Sequence, residues 1–174
     1  FSGDLGQPAR PLLRDPTHIH DADYLVVEST YGNRDHKTME ATQDELGAAI
    51  NDTLERKGGN VIIPAFAVGR TQDILYLLAD LTRQARIPKL SVFVDSPMAT
   101  AATEITYKHM ELLDAETHAL MGRHGGAQYF RKLDFVEEMR AIRAAHDEVS
   151  GSVLVGDLNI APLEHDVWSH KQLL

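Results

Sequence analysis

Apolar residues fall along this chain in two rhythms, and the switches between them outline the fold. Tyr24-Leu25-Val26-Val27 is an unbroken apolar run ending on Glu28. Coming after the turn-prone Asp15-Pro16 and Asp21, it predicts a buried strand over 24–28. From about Thr38 to Lys57 the spacing becomes helical, with Leu46, Ala49, Ile50 and Leu54 recurring on one face and Gly58-Gly59 as the stop. Val61-Ile62-Ile63-Pro64 reads as a second strand. Gly69-Arg70-Thr71 then opens a helix whose broad apolar face is Ile74, Leu75, Leu77, Leu78 and Leu81, closed by Pro88. Leu90 to Asp95 is a third strand, and Met98 to Leu120 predicts further helix. Gly122 to Gly126 reads as a loop or linker. Beyond it Phe135, Met139, Ile142 and His146 share a helical face, and Val153-Leu154-Val155 forms a short strand before Gly156-Asp157-Leu158-Asn159.

Strands alternating with helices of this length imply an α/β fold, with a mainly parallel sheet flanked by helices. In such sheets ligands gather at the carboxyl ends of the strands. Those ends carry Glu28-Ser29-Thr30, the segment Ala65 to Arg70, and Asp95-Ser96-Pro97, so three polar loops should converge on one edge.

Composition narrows the chemistry. The 174 residues suffice for one ordinary domain or one domain with an appended piece, and 43% hydrophobic content supports a core. Twenty-six acidic side chains against 17 basic ones give a net charge of -9, so any contact with a phosphate backbone must be local. The absence of cysteine removes disulfides, thiolate metal sites and thiol nucleophiles, and fits a reducing cytoplasm. A metal would need histidine and carboxylate ligands. No apolar stretch approaches a membrane span. The first residue is Phe1, on a pattern resembling protein interior, and a fragment is therefore expected.

Among candidate residues Glu28 is the most informative, because a carboxylate directly after an apolar run is costly to bury without a partner. Two readings stand: an acid that orients a metal-bound histidine or moves a proton, or a cap on the turn through Ser29 or Thr30. Gly69-Arg70-Thr71-Gln72 places a guanidinium and a hydroxyl at a helix start, where free backbone N–H groups favour a phosphate; a plain helix cap is the alternative. Asp95 reads first as a cap for the helix near Pro97. His18-Ile19-His20-Asp21-Ala22-Asp23 lacks the Asp at 22 and His at 23 that an HxHxDH metal motif requires, and it reads as an exposed loop. The remaining histidines are scattered without ligand spacing.

Taken together, FSGDLG (1–6), PLLRDP (11–16), YLVVESTYGNRDH (24–36), VIIPAFAVGRTQDILYLL (61–78) and VFVDSPMAT (92–100) resemble the β-CASP branch of the metallo-β-lactamase-fold ribonucleases. That resemblance implies a Rossmann-like β-CASP cap beside a hydrolase domain that holds two zinc ions and cuts RNA by metal-activated water. It implies that Asp4 is a metal-bridging aspartate and that Glu28 supports the active-site histidines. Ser29, Thr30, Tyr31, Phe66, Arg70, Asp95 and Ser96 would face the substrate cleft. The HxHxDH motif and the family's later serine-glycine-methionine turn and histidine motifs are absent, so zinc is implied with an incomplete site.

Residues 132–149 and 152–174 resemble instead an internal segment of the exonuclease III family of nucleases. There the GDxN turn would make Asp157 and Asn159 catalytic in the presence of Mg²⁺. The expected organisation is thus a β-CASP-like region with the edge of a metallo-β-lactamase domain over 1–120, a junction over 121–131, and an appended helix-strand unit over 132–174. A fusion is one origin for this arrangement. The expected function is a piece of a metal-dependent RNA hydrolase, a non-catalytic RNA- or phosphate-binding cap, or a folded chimera without selected function. RNA is the expected partner, with a homodimer as a candidate assembly and no membrane partner.

Overall fold

The computed structural model describes residues 1–123, 134–136 and 152–156. Thr38 opens the first helix, α1 (Met39–Asn51): its hydroxyl accepts the Ala41 N–H at 3.2 Å, satisfying one of the unpaired donors of the first turn. The helix widens to a π-turn over Asp52–Arg56, where the Lys57 N–H donates to the Asp52 carbonyl. Gly58 takes φ +65, and the Gly59 N–H returns to the Thr53 carbonyl at 3.0 Å, so the left-handed residue the sequence offers there terminates the helix as expected.

Strand β1 (Val61–Pro64) leads through a short loop to α2 (Arg70–Arg83), then β2 (Ser91–Val94) and α3 (Pro97–Lys108). α2 is buried on nearly every side from Thr71 to Leu81, and Leu75, Leu78 and Leu81 are fully enclosed. The helix expected over 98–120 is two helices. α3 ends at His109, a 3₁₀ turn spans Met110–Leu112, and α4 (Ala115–Arg123) begins anew. The Asp114 carboxylate forces this restart by accepting the Thr117 N–H at 2.6 Å and the Thr117 hydroxyl at 3.1 Å. The expected linker therefore begins inside a helix at Gly122.

Strands β3 (Asp134–Val136) and β4 (Ser152–Gly156) complete a four-stranded parallel sheet of order β1-β4-β2-β3. This is the α/β architecture with a parallel sheet flanked by helices that the alternating rhythms predict. Two details differ. Asp134–Val136, expected within a helix from 132, is strand β3 paired to β2; the rest of that expected helix lies outside the described residues. The strand near 152 is not an appended edge, because β4 sits between β1 and β2. Val153 and Val155 are fully buried there, as the apolar run of an interior parallel strand should be. Gly156 is required at its end: a Cβ would meet the Asp95 carbonyl oxygen at 2.7 Å.

The strand expected over 24–28 does not form. Tyr24 is 94% exposed and Val27 47%. The reason is one of pairing. A run of β-formers becomes a strand only where a ladder neighbour takes up its backbone groups. Here one backbone bond, from the Ser2 N–H to the Val26 carbonyl at 2.8 Å, holds the segment. The N-terminal segment is tied down instead through Leu12, which is buried in the core. The Asp114 N–H donates to the Leu12 carbonyl, and Arg14 Nη2 donates to the Glu111 carbonyl at 2.6 Å. Among the described residues no helix is long and apolar enough to cross a membrane.

Candidate functional site

A cleft of about 720 Å³ opens between the N-terminal segment, the turn after residue 28 and the start of α2. Asp4, Glu28, Thr30, Tyr31, Phe66 and Arg70, all singled out from sequence, line it together with Arg10, Arg14, His36 and Asp73. Two of the three loops expected to converge, those after residue 28 and before Arg70, meet here without the strand expected at 24–28, whereas the loop at 95–97 lies elsewhere.

Glu28 is held by backbone donors. Its Oε2 accepts the Thr30 N–H at 3.0 Å and its Oε1 the Leu5 N–H at 3.3 Å, while its own N–H donates to the Ser2 hydroxyl. Bonding from Thr30, then from Leu5, lowers the carboxyl below its usual range, because each donor favours the charged form. The capping alternative is therefore present in the structure, with an addition the sequence does not disclose. The same carboxylate fastens the 28–30 turn to the loop bearing Asp4.

The start of α2 differs from the anion cradle considered above. Gly69 takes φ +82 and donates its N–H to Gln72 Oε1 at 2.7 Å; the Arg70 N–H turns to the Val68 carbonyl and the Thr71 N–H to that of Phe66. These amides face inward and are spent within the turn. Gln72, buried, also spends its amide on the Ala67 carbonyl and on the Thr103 hydroxyl at 2.8 Å, joining α2 to α3. What remains toward the cleft is the half-exposed Arg70 side chain. Phe66 is 78% exposed while its carbonyl is fixed by the Thr71 hydroxyl at 2.8 Å, so its ring stands on a rigid base. The exposed Tyr31 ring meets His36 edge-on at 5.8 Å.

Ser29, Asp95 and Ser96 do not line this cleft. Ser29 accepts the Gly32 N–H on its carbonyl. Ser96 is buried and caps α3 by accepting the Ala99 N–H at 3.2 Å, while Asp95 donates its N–H to the Val155 carbonyl beside Gly156. Asp157 and Asn159 lie outside the described residues.

Sequence reasoning missed Arg10, Arg14, His36 and Asp73. Asp73 was signalled weakly, standing three residues after Arg70 and hence on the same helix face. Burial pushes its carboxyl up, against the pull of Arg70 and Arg10 downward. Arg10 carries no periodic cue, since it sits in a loop among Pro8 and Pro11. Among the described residues no three histidine or carboxylate side chains gather as a metal would need. Asp4 is exposed, and the nearest carboxylate of interest, Glu28, has both oxygens engaged by N–H groups. The described residues do not fit a two-zinc centre.

Residues 71–157, half of the chain, match the Beta-Casp domain model. The chain belongs to the β-CASP family. The β-CASP match runs from the first turn of α2 to the end of β4, across the junction expected at 121–131. Similarity extends beyond that range. A ribonuclease of Thermus thermophilus is 36% identical over 148 residues, which is 83% of this chain and 33% of that protein. An RNase J-like protein of Methanocaldococcus jannaschii is 36% identical over 104 residues, 58% of this chain and 24% of its own length. A transcription termination factor, FttA, of Methanosarcina mazei is 34% identical over 129 residues, 72% of this chain and 20% of its own. The chain thus spans a third or less of these relatives.

Proposed function

We propose that this chain is the RNA-receiving part of a β-CASP RNA hydrolase, and that its cleft holds single-stranded RNA. The observation that carries this reading is the gathering, in one cleft, of exposed rings with arginines. Phe66 and Tyr31 offer π-faces on which bases stack, and Arg10, Arg14 and Arg70 offer guanidinium forks to phosphates. In a chain of net charge -9, such local placement is what allows contact with a polyanion. The names of the relatives, two of them ribonucleases, support RNA as the ligand.

In this reading hydrolysis of the phosphodiester belongs to a metal-activated water in the whole enzyme, zinc being the metal the resemblance implies and Asp4 the residue it assigns. Because the described residues do not fit that centre, the share of this chain is grip and placement. Glu28 holds the Asp4 loop against the 28–30 turn. The continuity of the family match through β4 favours a single β-CASP unit over a fusion. In that reading Asp157 is the residue that follows β4 in the sequence of one β-CASP unit.

The test is fluorescence anisotropy of a labelled single-stranded RNA against the full chain at low and moderate salt. Binding that weakens as salt rises, falls roughly ten-fold further on Arg70→Ala, and survives a chelator is expected. Salt-independent binding, or none, would refute the reading.

A further inference from the structure

Arg10 and Arg70 come from separate segments, the loop after Gln7 and the first turn of α2, yet both point at one atom. Arg70 Nη1 lies 3.9 Å and Arg10 Nη1 4.0 Å from the same oxygen, Asp73 Oδ2. A charge-assisted pair that existed to neutralise itself would close to about 2.8 Å. These contacts are longer, so the guanidinium donors are not consumed by the carboxylate. Arg10 is further steadied by Nε, which donates to Gln7 Oε1 at 2.9 Å, so this bond does not engage its Nη1 or Nη2. Asp73 itself is largely enclosed, whereas Arg70 is half-exposed and Arg10 partly so. One carboxylate beneath two guanidinium groups leaves this group of three with a net positive charge, in a cleft that Arg14, Asp4 and Glu28 also line. The group stands where the 720 Å³ cleft meets a second cavity of about 580 Å³, and Arg10, His36, Arg70 and Asp73 line both. Two guanidinium groups this close repel each other, and a carboxylate beneath them is what keeps them together when no ligand is bound.

We infer that Arg10 and Arg70 jointly grip one backbone phosphate of single-stranded RNA, with Asp73 as the positioning residue that holds the pair facing the cleft. This rests on the RNA-binding reading above. The phosphate lies over the outer guanidinium nitrogens, opposite Asp73, and takes up the positive charge that the carboxylate leaves unbalanced.

The experiment is the same anisotropy titration across a salt series with Arg10→Ala, Arg70→Ala, the double variant, Asp73→Asn and Asp73→Glu, each checked for helical content and melting. Each single arginine loss is expected to weaken binding roughly ten-fold and to lower the salt slope by about 0.7, while the double variant loses less than the product of the two. Asp73→Asn should weaken binding and lower the slope even though it makes the chain less acidic, and Asp73→Glu should recover most of the loss. If Asp73→Asn binds as tightly or more tightly, Asp73 is merely a repelling charge and the positioning role is overturned. If Arg10→Ala binds normally while Arg70→Ala does not, the clamp is overturned and the RNA-binding reading stands; Arg10 lies in a loop, so this arm does not depend on the folding of α2. If the unsubstituted chain shows no salt-dependent binding, both fall together.

Discussion

Two stretches of similar apolar character meet opposite fates. Tyr24 to Val27 lies largely exposed and outside any ladder, whereas Ser152 to Gly156 lies at the centre of the sheet with Val153 and Val155 fully buried. Composition does not separate them. What does is the neighbourhood: β4 finds β1 on one side and β2 on the other, so each backbone group it buries is answered by a partner. The residues near 24–28 find Ser2 and Leu5, and they are organised by Glu28 more than by their own side chains. Among the described residues full burial and strand pairing are concentrated around α2 and the central strands, while the side chains that face the cleft stand on loops and on the first turn of α2.

That contrast can be tested in steps. The largest effect should come from the core: Leu78→Ala, at a fully enclosed position of α2, is expected to cost about 2–5 kcal/mol in chemical denaturation. Val26→Ser, in the exposed run, should change stability by no more than about 0.5 kcal/mol by the same measurement, and a loss comparable to that of Leu78→Ala would mean the run is buried in solution. The smallest effect concerns pH. Glu28 is held below the usual carboxylate range, so whatever order it lends the N-terminal loops is complete above the ordinary glutamate range and lost as pH falls through its lowered value. Asp73 runs the other way: burial raises its carboxyl, and its cost when ionised is relieved on acidification. The protection of the Leu5 and Thr30 amides, taken relative to their intrinsic exchange rate at each pH, should therefore fall in acid before that of α2 does. Equal protection throughout would remove Glu28 as the fastening between the loops.

The parts of the fold that the sequence discloses are those set by local rules. Thr38 and Gly58 bound α1 because a hydroxyl cap and a left-handed residue act within a few positions, and the apolar face of α2 is legible because its period is its own. Strand pairing is not local. Nothing within residues 24–28 says whether a ladder partner exists, and nothing near 152 says that the strand enters between two others. The site divides in the same way. Asp4, Glu28 and Arg70 are legible from motifs, and they do share a cleft. At the end of β2 Ser96 caps α3 in place of the expected Asp95, whose backbone instead abuts β4 because Gly156 packs against it. Arg10 and Asp73 escape notice since their role rests on a meeting between two distant segments at one carboxylate oxygen.

The place of β4 also sets the timing of folding. β1 and β2 are consecutive strands, yet neither pairs with the other; their common neighbour is the last of the described strands in chain order, and Val61 pairs with Val153. Until residue 152 leaves the ribosome, both earlier strands present open edges to which any extended chain can add. Closing the sheet requires a contact of long sequence separation, which is slow to form. For a nascent copy, exposure of unpaired strand edges is expected to be greatest between the emergence of β2 and that of β4.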